Sequence, residues 1–124
     1  MHTILLSIKS KYSKLIFDGS KKFEFRKKKK KKEVDKIIVY SSSPDKVIIG
    51  EVYVTGIVSM KKKNLWEFTK KYSGITEDDF FSYFDKNEVG YAYKLGKVEK
   101  YKNPKQLKDL GVKKAPQSFI YLDL

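Results

Sequence analysis

One short segment, Gly19-Ser20-Lys21-Lys22-Phe23-Glu24-Phe25-Arg26, gathers an ammonium, a carboxylate and a guanidinium. The residue types alternate with period two, the pattern of a strand with one buried face. Phe23 and Phe25 then point one way, Glu24 and Arg26 the other. Lys21 can meet a phosphate or carbonyl oxygen. Glu24 can accept a hydrogen bond from an amino group on a base edge. Arg26 can clamp an anion with its planar fork or orient Glu24. Of the 28 basic residues all but Arg26 are lysine, so the one guanidinium stands where lysine serves everywhere else. Glu51 is a further candidate, able to pair with Lys21 or Arg26, because a buried charge must be compensated. A purely structural charge network among Lys21, Glu24, Arg26 and Glu51 is the plain alternative.

Composition narrows the chemistry. The chain has no cysteine and one histidine, His2, so disulfides, thiolate nucleophiles and Cys/His metal sites are not expected, and no cofactor is implied. Catalysis would have to run on Lys, Glu, Asp, Ser, Thr or Tyr. A formal net charge of +13 and a pI near 9.7 favour a polyanionic partner, RNA or DNA or an anionic membrane surface. A lysine-rich proteome would give the same bias. Met1 to Ile8 lacks a basic stretch followed by a sustained apolar one, and no apolar run approaches the ~20 residues of a spanning helix. The expectation is a soluble cytoplasmic protein.

The surrounding elements must position the segment. Residues 3–8 read as a strand. Ser10 is placed to cap a short helix carrying Tyr12, Leu15 and Ile16, which Asp18-Gly19 ends with a left-handed glycine. Lys27 to Lys32 reads as a self-repelling, solvated loop. Residues 36–40 form a buried strand ending in the turn Ser41-Ser42-Ser43-Pro44-Asp45. Val47 to Val58 is a long strand with bends or bulges at Gly50 and Gly56. Asn64 and Thr76 are placed to cap two helices, with Phe80, Phe81 and Phe84 as core. Strands return over 88–101, with Gly96 marking a turn or bulge, and over 116–122. The order β-α-β-β-β-α-α-β-β fits an α+β fold. It is read as a small open mixed β-barrel with short helices on its rim, one domain over residues 1–124.

The segment at 19–26 resembles the G-x-K-x-x-E-x-R signature of ASCH domains, members of the PUA-like superfamily. A short helix before it, Ile49-Gly50-Glu51-Val52 after it and Pro116-Gln117-Ser118-Phe119 near the end support the resemblance, which covers essentially the whole chain. It implies an open barrel with a cleft beside the first helix, where RNA or a modified nucleotide binds. Some members hydrolyse acetylated cytidine nucleosides with a Lys, a Thr and a later Glu, and others cut RNA. Lys21 and Glu51 match the lysine and the glutamate, whereas Glu24 occupies the threonine's place, and a carboxylate does not replace an activated hydroxyl.

The reading is therefore a nucleic-acid-binding domain, for RNA or a modified nucleotide, with Lys21, Glu24, Arg26, Ser41, Ser42, Glu51, Gln117 and Ser118 as candidate ligand residues. Tyr40, Trp66 and Tyr93 are candidate stacking platforms for a base. The alternative is a nucleoside amidohydrolase or metal-independent ribonuclease using Lys21 with Glu24 or Glu51. A protein-interaction domain with an incidental cleft is the third reading.

Overall fold

The structure, a computed structural model, describes residues 2–122. Its strands are β1 (Thr3–Ile8), β2 (Phe23–Arg26), β3 (Lys36–Ser41), β4 (Val47–Lys61), β5 (Val89–Lys105) and β6 (Phe119–Leu122). Its α-helices are α1 (Ser10–Phe17), α2 (Lys62–Thr69) and α3 (Glu77–Phe84), with 3-10 turns at Lys70–Tyr72 and Leu107–Leu110. The strands form one mixed sheet in the order β2-β5-β4-β3-β1-β6. Only the β1–β3 pair is parallel among the described ladders. The α+β class is as expected, but β2 and β6 sit at opposite ends of the sheet and share no ladder, so the sheet does not close into a barrel.

Alternation along β1 and β3 explains how the sheet covers two layers. Ile4, Leu6, Ile8, Ile37 and Val39 face the cluster that includes Ile16 of α1. Their neighbours Leu5, Ile38 and Tyr40 face a second cluster, packed by Tyr101, Leu107 and Leu110. A strand buried on both faces is apolar throughout, which is why β1 reads as a continuous run rather than an alternation. A third cluster, Phe25, Leu65, Phe80, Phe84 and Ala92, ties α2 and α3 to the β2–β5 end. Phe80 and Phe84 are fully buried, as core residues should be.

Residues 89–105 form one long strand, and Gly96 falls where the β4–β5 ladder shifts register between the Val52–Val98 and Val54–Leu95 pairs, as a bulge there requires. That ladder shifts register between Ile48 and Gly50 and on either side of Val54 up to Gly56, where bends were expected. At Gly50 a Cβ would lie 2.5 Å from the Glu99 carbonyl and 2.7 Å from the Phe17 ring, so the glycine lets the end of α1 seat on the sheet.

The N-terminal helix caps match the sequence pattern at one helix of three. Thr76 caps α3, accepting from the Asp79 amide at 3.1 Å. Asn64 does not cap α2, which begins at Lys62, and Glu67 instead meets Lys70 on the surface. Ser10 lies inside α1, whose N-cap is Lys9, and its hydroxyl donates to Asp45 at 2.7 Å instead of capping the helix.

Candidate nucleic-acid interface

Gly19, at φ +90°, turns the chain out of α1 toward β2. The Lys21 amide donates to Leu15 and the Lys22 amide to Tyr72, at 3.0 and 2.8 Å, so the start of β2 is held between α1 and the segment after α2. These bonds bury Lys21, which is only 4% exposed. Its Nζ donates to the Ser73 carbonyl at 2.6 Å and lies 5.0 and 5.3 Å from the ring centres of Phe25 and Tyr12. Burial pushes its pKa down, the negative charge of Glu24 raises it, and Arg26 lowers it further. Gly74, at φ +64°, lies against the lysine stem, where a Cβ would fall 2.6 Å from Lys21 Cβ.

Glu24 and Arg26 share a face as the strand period requires, and they pair directly, Nη2 to Oε2 at 2.8 Å with side chains 11% and 18% exposed. Arg26 Nη1 makes a long contact of 3.4 Å to the Ser118 hydroxyl. Its Nε is buried and has no hydrogen-bond partner among the described residues. A buried donor left without a protein acceptor is costly, and here the Glu24 carboxylate compensates the guanidinium through Nη2.

Lys21, Glu24 and Arg26 line a cavity of about 470 Å³ between α1 and α3. Lys9, Lys11 and Tyr12 close it from the α1 side, Asp79, Ser82 and Tyr83 from α3. The Tyr83 hydroxyl donates to the Phe25 carbonyl at 3.3 Å, which fixes the ring at the cavity wall. Burial raises the Tyr83 phenol's pKa, with opposing effects from Arg26 and Glu24.

Other expected members lie elsewhere. Glu51 does not reach Lys21 or Arg26. It accepts from Lys36 at 3.3 Å and from the Tyr101 hydroxyl at 2.6 Å, beside the cluster on the sheet's other face. Burial pushes its carboxyl up, but the bonds from Tyr101 and Lys36 outweigh that and hold it below the ordinary carboxylate range. Ser41 is fully buried, bonded to Ser13 at 2.7 Å and to Asp45 at 2.9 Å, while Ser42 donates to the Ile8 carbonyl. Both serines brace the ends of β1 and α1 from behind and do not line the cleft. Gln117 is exposed and contributes no contact there, whereas Ser118 does reach Arg26.

Nor do the expected stacking residues face it. Tyr40 is buried in the core, Trp66 packs on Phe80 with ring centres 5.1 Å apart, and Tyr93 lies beneath Lys30. Tyr12 and Tyr83 line the cleft instead; the sequence placed Tyr12 on a helix face with Leu15 and Ile16, and gave no signal that singles out Tyr83.

The lysine run departs furthest from expectation. Lys30 is only 8% exposed, its Nζ 4.3 Å from the Phe119 ring centre and 5.0 Å from that of Tyr93. Burial, then the nearby charge of Arg26, pushes its pKa down to about 8, with Glu24 acting the other way.

The fold and the buried charged set beside the first helix define a small basic domain with a cleft at one end of a mixed sheet. The family model of the ASCH domain matches residues 6–114, and the chain belongs to that family. It is 31% identical over 121 residues to an ATP synthase subunit alpha of Ureaplasma parvum; the match takes in 97% of this chain and 15% of that relative's length. It is 27% identical over 122 residues to an ASCH domain-containing ribonuclease of Zymomonas mobilis, covering 95% of this chain and 82% of that protein. The crystal structure of ASCH from Zymomonas mobilis superposes with a TM-score of 0.90 at 25% identity, over 98% of this chain and 87% of that one. Among the described residues no helix is long and apolar enough to cross a membrane.

Proposed function

We propose that the chain is an RNA-binding domain whose cleft between α1, β2 and α3 takes one nucleotide unit, with the surface lysines holding the backbone. The observation that carries the reading is the Glu24–Arg26 pair, held nearly dry where it lines a nucleotide-sized cavity. Glu24 is disposed to accept from a base-edge amino group and Arg26 to clamp a phosphate, while Tyr12 and Tyr83 offer ring faces to a base. The net charge of +13 supplies the non-specific attraction. The Zymomonas relative's designation as a ribonuclease supports RNA over DNA. A modified nucleotide is the finer version of the same reading, which takes residues 1–124 as one cytoplasmic domain. Fluorescence anisotropy with a labelled, random-sequence single-stranded RNA tests it. Saturable binding weakened by Arg26→Lys is expected, and no binding at low salt would refute it.

Cleavage of RNA is the second reading, favoured by that relative's name and by the lowered pKa of buried Lys21, a feature of proton-transfer groups. Against it, Lys21 Nζ is spent on the Ser73 carbonyl, and Glu51 is held apart from the cleft. Incubation of end-labelled RNA with excess protein in EDTA separates the two. Intact RNA supports binding alone, and cleavage lost in Lys21→Ala would establish the enzyme.

A further inference from the structure

We infer that the lysine loop and the end of β6 form a second nucleotide subsite, joined to the cleft through Arg26, so that the protein takes a dinucleotide step rather than a single nucleotide. The inference rests on the preceding reading of the cleft and extends it.

A run of six lysines should repel itself into an extended, solvated loop. Here it is folded back and pinned by aromatic rings. Lys27 Nζ lies 4.9 Å from the Tyr83 ring centre, Lys30 is buried on Phe119 and Tyr93, and Lys32 lies 5.1 Å from Tyr121. The Lys32 amide also donates to the Tyr121 hydroxyl at 3.3 Å. Lys30 alone is drawn inside, which leaves the other five lysines of the run exposed, with Lys27, Lys28, Lys29 and Lys31 around one rim. Charges crowded in this way are relieved by a polyanion, and their positions are already set before one arrives.

That rim encloses a cavity of about 520 Å³ whose walls are Tyr83, Phe119 and Tyr121. An aromatic floor under a cationic rim is what single-stranded nucleic acid needs, since bases stack on rings while cations follow the phosphates. The cavity shares Arg26 and Tyr83 with the cleft. The two ends of the guanidinium divide between them, Nη2 on Glu24 in the cleft and Nη1 toward Ser118 in the second cavity. A phosphodiester linking two bound nucleosides would therefore meet Arg26 at the junction.

Titration calorimetry with the ribonucleoside 5′-monophosphates and the dinucleoside monophosphates built from them tests this. A dinucleoside monophosphate carries less charge than a 5′-monophosphate, so tighter binding must come from the second nucleoside. The best one should bind about tenfold more tightly than either component nucleotide, the order expected from one added stacked base. Tyr121→Leu should remove most of that gain while changing mononucleotide affinity less than about twofold. The variant Lys28→Gln/Lys29→Gln/Lys31→Gln, whose exposed side chains meet no phosphate in a dinucleoside monophosphate, should fold normally and keep the gain. Equal affinity for mononucleotide and dinucleotide, or equal losses for both in Tyr121→Leu, would overturn the second subsite and leave the cleft reading standing. Binding of neither probe would overturn both.

Discussion

Replacing Lys30 by methionine isolates the cost of drawing one cation out of the lysine run. Methionine keeps a flexible stem against Phe119 and Tyr93 and its sulfur suits aromatic neighbours, so packing is largely conserved. What is lost is an ammonium whose pKa falls from 10.5 to about 8, chiefly through burial and then through Arg26. At about 1.4 kcal/mol per unit that displacement sets an upper limit near ~3 kcal/mol. The attraction of the ammonium to two ring faces, about 0.5–1 kcal/mol each, offsets part of it. A net gain of roughly 1–2 kcal/mol in Lys30→Met at neutral pH remains. The sign with pH follows from linkage. The folded-state value lies below the unfolded one, so below about pH 8 both states carry the proton and the full penalty is present. Between about 8 and 10.5 the unfolded chain binds more protons, and the wild type gains stability relative to the variant as pH rises. Urea unfolding of both proteins at several pH values across that window measures the difference directly. A variant less stable than wild type at pH 7, or a difference that stays constant with pH, would refute the buried, strained cation.

Three further outcomes follow from the geometry. Gly74→Ala combines a left-handed backbone with a methyl 2.6 Å from the Lys21 stem; thermal melts should show a loss of at least about 1–2 kcal/mol, accompanied by weaker RNA binding as Lys21 is displaced. Glu51→Gln should cost roughly 1 kcal/mol near neutral pH and leave RNA affinity unchanged, the cost fading in acid because a lowered carboxyl gives up its contribution as pH falls; a large loss of affinity would return Glu51 to the site. Ser41→Ala removes one bond each from Ser13 and Asp45, which keep their bonds to Ser10, and should lower stability by about 1 kcal/mol in denaturant melts, again without touching the cleft.

The strand period carried Glu24 and Arg26 to one face, and the glycine after α1 announced the turn into β2, so the centre of the site was legible from local pattern. What was not legible depends on which elements meet. Glu51 alternates correctly along β4, but the β3 and β4 registers set it opposite Ile38 and within reach of Lys36 and Tyr101, partners that no spacing reveals. Ser41 looked like a free turn hydroxyl because the helix that buries it lies some thirty residues earlier, through Ser13. Lys30 looked solvated because charge repulsion was weighed without Phe119, which β6 brings in from the far end of the chain. Tyr12 shares a helix face with Leu15 and Ile16 in the sequence, and helical spacing cannot tell a ring over a core from a ring over a cavity; the same holds for Tyr83, which no sequence feature singled out.

The central claim is that Arg26 recognises RNA by its fork and not only by its charge. Anisotropy titrations of a single-stranded RNA oligonucleotide against wild type and Arg26→Lys, across about 50–200 mM salt, test it most directly. The account predicts a steep salt dependence in both proteins with nearly equal slopes, and an affinity in Arg26→Lys about tenfold lower at every salt concentration. Equal affinities, or binding indifferent to salt, would contradict it.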